Sequence, residues 1–107
     1  MDVPEIDIDE LTRRHGGGAA VLDVREDDEY AEAHVPGAQH IPLANLSERL
    51  GELPAGEPLL VVCRSGGRSF KAVELLQARG IDATNVAGGT LAWIEAGQPV
   101  TIGTERH

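Results

Sequence analysis

The sequence predicts an α/β fold in three layers, a mainly parallel central sheet of about five strands flanked by helices. Three observations predict it. Short apolar runs alternate with stretches whose apolar residues recur at helical spacing, the order that right-handed βαβ crossovers produce. Pro58-Leu59-Leu60-Val61-Val62 is apolar without alternation and bounded by turn residues, as in a strand buried on both faces. Aromatics are limited to Tyr30, Phe70 and Trp93, so Val, Leu, Ile and Ala must fill the core. A chain of 107 residues supports one such core and not two. Residues 1–107 therefore read as a single domain, with its core at about 5–97 and a C-terminal tail at 98–107.

In chain order, Glu5 to Ile8 is expected to form a short edge strand, and Asp9 to cap a brief helix reaching Arg14. Gly16-Gly17-Gly18 closes that helix and opens a turn. Ala19 to Val24 reads as a buried strand ending in polar residues. Glu26 to Ala33 reads as a short helix whose acidic start suits the positive end of its dipole. After the Pro36-Gly37 turn, Ala38 to Ile41 is expected as a short strand, and a helix is expected around Leu46 to Leu50. The loop Pro54-Ala55-Gly56 leads into the strand that ends at Cys63. Phe70, Val73, Leu75 and Leu76 give helical spacing to the segment from Ser69 to Arg79, with Gly80 as its C-cap. A strand at Ala83 to Val86 and a helix after Gly88-Gly89 complete the order.

Charge and cysteine content exclude several classes of function. A formal net charge of −9 argues against nucleic acid and against an anionic membrane surface. No acidic residue lies between Glu57 and Glu74, whereas Arg64, Arg68 and Lys71 fall inside that gap, so an acidic chain carries one cationic island. A single cysteine forms no intrachain disulfide. Met1-Asp2-Val3-Pro4-Glu5 has neither the basic region nor the apolar stretch of a signal peptide, and no apolar run reaches membrane-spanning length. A cytoplasmic location is expected.

In open α/β sheets, ligands bind beyond the carboxyl ends of the strands. Cys63 ends one strand, and Asp23-Val24-Arg25 ends another. Between Cys63 and the helix after it runs Arg64-Ser65-Gly66-Gly67-Arg68-Ser69, a glycine-containing turn at a helix N-terminus where backbone N–H groups converge on an anion. A thiolate is such an anion. The turn amides, the helix start and the guanidinium groups of Arg64 and Arg68 are all expected to lower the Cys63 pKa. Ser69 is placed to cap the helix and to donate to the sulfur. Asp23 and Arg25 are expected to pair with neighbouring backbone or charges and to hold the loops. His15, His40 and His107 show no metal-ligand spacing with Cys63. Trp93 reads as core or pocket wall, and Glu26-Asp27-Asp28-Glu29 as a solvated helix start.

Cys63-Arg64-Ser65-Gly66-Gly67-Arg68-Ser69 resembles the active-site loop of single-domain rhodanese-like sulfurtransferases. Leu22-Asp23-Val24-Arg25-Glu26 is similar to the Asp-Val-Arg segment of that family. His34-Val35-Pro36-Gly37-Ala38, followed by Ile41-Pro42, is similar to its His-Ile-Pro-Gly-Ala signature. Val86-Ala87-Gly88-Gly89 with Trp93 resembles its C-terminal Gly-Gly element. The resemblance covers about Glu5 to Gly97, with four motifs in order. It implies a rhodanese-like fold in which Cys63 takes a sulfane sulfur from a donor such as thiosulfate. The sulfur is held as a persulfide and passed to a thiophilic acceptor, cyanide in the usual assay. It also implies that Arg64, Ser65, Gly66, Gly67 and Arg68 bind substrate, with Ser69, Asp23 and Arg25 in support and His34 structural. No metal or organic cofactor is implied. The partners are a small-molecule sulfur donor and an external acceptor, since there is no second cysteine to resolve the persulfide.

The loop lacks the Cys-Gly-Ser/Thr-Gly-Val-Thr pattern of mercaptopyruvate sulfurtransferases, which disfavours that donor. Ser65 stands where some thiosulfate-using members carry lysine, and Ala33 stands where a glycine is common. Two other functions compete. A sulfur-relay or binding module would serve an acceptor protein with the same persulfide chemistry. A cysteine phosphatase or arsenate reductase is the other. Phosphatase loops read Cys-x5-Arg, but Ser69 stands at that arginine's place and Arg68 comes one residue earlier, giving a loop sized for a sulfur atom rather than a phosphate.

Overall fold

The computed structural model describes residues 3–107; Met1 and Asp2, which begin the N-terminal segment read above, lie outside the described residues. Strands β1 (Glu5–Ile6), β2 (Val21–Asp23), β3 (Gln39–His40), β4 (Leu59–Val62) and β5 (Ala83–Val86) form one sheet in the order β1-β5-β4-β2-β3. Every neighbouring pair is parallel. Helices α1 (Ile8–Gly16), α2 (Asp27–Glu32) and α3 (Gly67–Ala78) lie in the connections between strands, and α4 (Gly89–Glu95) follows β5. Among the described residues, no helix is long and apolar enough to cross a membrane.

The unbroken apolar run of β4 follows from its place in the middle of the sheet. Side chains alternate faces along a strand, and both faces here are covered. Leu59, Val61 and Cys63 pack with Leu22, Leu46 and the α3 residues Ala72, Val73 and Leu76. Leu60 and Val62 pack on the other face with Leu11 of α1, Tyr30 of α2, Val86 and Trp93 of α4. These are the three expected layers. The register sets Asp23 of β2 beside Val62 of β4, and the Val24 amide donates to the Val62 carbonyl at 3.0 Å. Asp23, Arg25 and Cys63 therefore lie together at the carboxyl ends of the neighbouring strands β2 and β4.

Several boundaries differ from the sequence expectation. Asp7, not Asp9, caps α1: its backbone is extended and its carboxylate accepts from the Glu10 amide at 2.9 Å, which shortens β1. The segment around Leu46–Leu50 is not an α-helix but two 3-10 stretches, Leu43–Glu48 and Leu50–Glu52. Its bonds run three residues back, as from the Asn45 amide to Pro42 O and the Arg49 amide to Leu46 O; Leu46 is its fully buried anchor, and Leu43 and Leu50 pack partly buried against the same core. At the end of α3, the Ile81 amide reaches Leu76 O and the Gly80 amide reaches Gln77 O, a Schellman motif with glycine at its left-handed position. The segment beyond Gly97 lies back on the core. Trp93 Nε1 donates to Pro99 O at 2.7 Å, and His34 and Thr101 exchange two backbone hydrogen bonds at 2.9 Å.

Candidate active site

Cys63 is the first residue past β4, and it is almost fully buried. Its Sγ accepts from the Gly66 amide at 3.1 Å and lies 3.4 Å from Ser69 Oγ. Burial raises the thiol pKa. The Ser69 hydroxyl and the amides of Ser69, Gly66 and Ser65 oppose it by favouring the thiolate, and their sum wins, so the pKa falls below its ordinary value. The turn that gathers these amides depends on Gly66, whose φ of 114° lies in the left-handed region and which is the N-cap of α3. Gly67 is the first helical residue and meets no such constraint, because a Cβ there would touch nothing within 4 Å.

Ser69 does not cap α3. It lies in the first turn, fully buried, and its hydroxyl has three acceptors within reach: Asn85 Oδ1 at 2.5 Å, Gly66 O at 3.2 Å and the sulfur. Asn85, on β5 and 1% exposed, is held by donation from Nδ2 to Glu5 Oε2 at 2.8 Å. One hydroxyl proton thus has three competing acceptors, the Asn85 amide oxygen, the Gly66 carbonyl and the sulfur. Sequence reasoning missed Asn85; a polar residue inside the strand run Ala83-Thr84-Asn85-Val86 was the available signal.

The arginines part company. Arg68 does not stand free beside the sulfur but forms a two-pronged ion pair with Glu29 of α2. Glu29 is accordingly not a solvated helix residue. It also takes part in a capping box with Glu26, and the Arg68 guanidinium holds its carboxyl at about 2. Arg64 is exposed and has no ion-pair partner among the described residues. Ser65 is exposed beside it.

Asp23 and Arg25 pair with each other. Arg25 Nη2 donates to Asp23 Oδ2 at 2.8 Å and to the Ala33 carbonyl at 2.8 Å, and the Arg25 amide donates to Asp23 Oδ1. Asp23 is fully buried and Arg25 is 5% exposed, so removing either partner would strand the other's charge in the interior. The pair ties the end of β2 to the end of α2. His34 is buried, with Nδ1 at 2.8 Å from Tyr30 O and Nε2 at 2.6 Å from Glu105 O, so its ring serves the C-terminal segment.

The start of α4 presses on the cysteine loop from behind. The Thr90 amide donates to Cys63 O at 2.8 Å, and the Leu91 amide donates to Arg64 O at 3.0 Å. A Cβ on Gly89 would lie 2.4 Å from Cys63 O, and its φ is +54°, so only glycine permits this approach.

A rhodanese-like domain profile matches residues 7–96. The chain belongs to the rhodanese family. Among its relatives is a sulfurtransferase from Allochromatium vinosum, 34% identical over 101 residues that span 92% of this rhodanese and 94% of the relative. A putative sulfur carrier protein from Bacillus subtilis is 34% identical over 85% of the chain, which spans only 51% of that protein's length. The fold is that of a rhodanese-related protein from Thermoplasma volcanium, at a TM-score of 0.87 and 33% identity, covering 92% of this chain and 98% of the other. The loop from Cys63 to Ser69 and the Gly88-Gly89 turn that backs it both lie within the matched rhodanese domain.

Proposed function

We propose that this rhodanese is a sulfurtransferase whose Cys63 thiolate attacks the sulfane sulfur of a donor such as thiosulfate. The donor's S–S bond breaks, sulfite leaves, and Cys63 carries the persulfide. A thiophilic acceptor, cyanide in the simplest assay, then takes the outer sulfur as thiocyanate and returns the thiolate. The observation that carries this reading is the Sγ of the only cysteine, held in amide and hydroxyl donors that lower its pKa. The same donors suit the persulfide anion. Ser65, Gly66 and Gly67 shape the donor's seat. Arg64 supplies the mobile cation, while Arg68 acts with its charge largely offset by Glu29.

An acceptor protein is a second reading, supported by the exposed apolar side chains of Phe70, Leu91 and Ile94 on the helices whose N-termini adjoin the loop. It entails slow discharge to cyanide.

Intact mass measured after incubation with thiosulfate tests the main reading, with Cys63→Ala as control. The expected result is a gain of one sulfur atom on the wild type alone, lost on adding cyanide as thiocyanate appears. A wild type that gains no mass, or a Cys63→Ala variant that gains the same, would overturn it.

A further inference from the structure

The buried side-chain amide of Asn85 has its orientation set from outside the cysteine loop. Glu5 and Asn85 sit side by side where β1 pairs with β5. That register is fixed by the Asn85 amide donating to Pro4 O at 2.8 Å and the Ala87 amide donating to Ile6 O at 2.9 Å. Asn85 Nδ2 lies 2.8 Å from Glu5 Oε2 and 3.3 Å from Gly66 O, a carboxylate and a carbonyl that only accept hydrogen bonds. The NH2 group must face them, which turns Oδ1 toward Ser69 Oγ at 2.5 Å.

Ser69 has one proton to give, and its Oγ lies 3.4 Å from Cys63 Sγ. A charged thiolate competes well for that proton even at the longer distance, whereas a sulfur that has lost its charge competes poorly. A hydrogen bond to the thiolate also has two opposed effects. It makes more thiolate at a given pH, and it makes that thiolate a weaker nucleophile. Glu5 stands at the far end of this chain of hydrogen bonds. Arg68, whose charge acts on the sulfur, is offset by Glu29, and neither takes part in the chain.

We infer that Asn85, oriented by Glu5, is a positioning residue that draws the Ser69 hydroxyl away from Cys63 as the sulfur attacks. The inference rests on the persulfide reading above. The Ser69 O–H bond stays intact throughout. The hydroxyl turns to Asn85 Oδ1, Sγ bonds to the sulfane sulfur, the donor's S–S bond breaks, and sulfite leaves with the electron pair. In the persulfide the charge sits on the outer sulfur, so the hydroxyl stays with Asn85. When the acceptor removes the outer sulfur, Cys63 regains its charge and the hydroxyl turns back.

Iodoacetamide alkylation reads both effects, through its inflection against pH and the limiting rate of the thiolate above that inflection. Asn85→Leu removes the competing acceptor. Its inflection is expected at lower pH, with a limiting rate about threefold slower, since a thiolate stabilised about tenfold by one hydrogen bond loses about that much nucleophilicity. Loading by thiosulfate, followed by intact mass, should slow by a similar factor. Glu5→Lys, at an exposed side chain, presents a donor to Oδ1 and turns the amide over, so that Nδ2 donates to Ser69 Oγ. It should shift both alkylation readouts the same way, and it carries the test should Asn85→Leu fail to fold. In a Ser69→Ala background, Asn85→Leu should change neither readout, and Glu5→Lys should keep only the effect of its charge. Inflections that stay put or rise in the single variants, or shifts as large without the Ser69 hydroxyl as with it, would overturn the inference. A wild type that alkylates in the expected pattern yet gains no sulfur would instead overturn the sulfur-transfer reading, and with it the place of Asn85 in that reaction.

Discussion

Arg68 and Glu29, 39 residues apart in sequence, meet through two hydrogen bonds, Nη1 to Oε1 at 2.6 Å and Nη2 to Oε2 at 2.8 Å. The pair joins the first turn of α3, which carries the cysteine loop, to α2 across the site's edge. It also changes the electrostatics expected from sequence. A cationic island of three basic residues is, around the sulfur, one free guanidinium and one that a carboxylate offsets.

The pair makes stability depend on pH in a definite direction. Glu29 titrates at about 2 in the folded chain, below its ordinary 4.5, so the unfolded chain binds more protons between those values. The pair's contribution is therefore fully present above about pH 5 and is lost as pH falls toward 2. Both side chains are partly exposed, and solvent screening limits the contribution to about 1 kcal/mol. Urea unfolding at pH 7 should show the wild type more stable than Glu29→Gln by that amount, and the gap should close by pH 2. A gap that persists at pH 2 would show that the pair is not its source.

Cys63 should react as a thiolate below the pH at which a free thiol does. Its burial acts against this, but hydroxyl and amide donors outweigh burial, and Ser69 contributes both a hydroxyl and an amide. Iodoacetamide alkylation followed against pH should inflect below about 8.5, the free-thiol value. Ser69→Ala removes the hydroxyl and keeps the amide, so its inflection should move upward. An unmoved inflection would assign the shift to the backbone alone.

Gly89 should tolerate no side chain, and Gly67 should tolerate alanine. A Cβ at Gly89 would lie 2.4 Å from the Cys63 carbonyl at a positive φ, whereas at Gly67 it would meet nothing within 4 Å. Overpacking plus backbone strain predicts that Gly89→Ala costs about 2 kcal/mol or more. A melting scan should then show Tm lower by on the order of 10 °C. Gly67→Ala, in the first turn of a helix, should leave Tm unchanged or raise it. Equal effects of the two would remove the close-approach explanation.

What the sequence determined by itself was the order and type of the main elements, which depend on local periodicity, although the caps of α1 and α3 fall on Asp7 and Gly66 rather than on Asp9 and Ser69. The unbroken apolar run Leu59–Val62 specified a strand covered on both faces, and the alternation of runs specified a parallel sheet. Cys63, its glycine turn and the helix after it are contiguous, so the thiolate cradle was legible before any coordinates. The 3-10 stretches between Leu43 and Glu52 were not, because Leu43, Leu46, Leu50 and Leu53 recur at a spacing that reads as an α-helix, and three-residue turns present the same leucines to the core. Nor were the partners that come from distant parts of the chain. Glu29 looked solvated because only the packing of α2 beside α3 brings Arg68 to it. Asn85 reaches Ser69, and Glu5 reaches Asn85, only through the β1-β5 edge of the sheet, and Gly89 meets Cys63 only because α4 closes on the loop. Tertiary structure alone decides which charges are paired and which are left free, since an ion pair is set by distance in space and sequence records only distance along the chain.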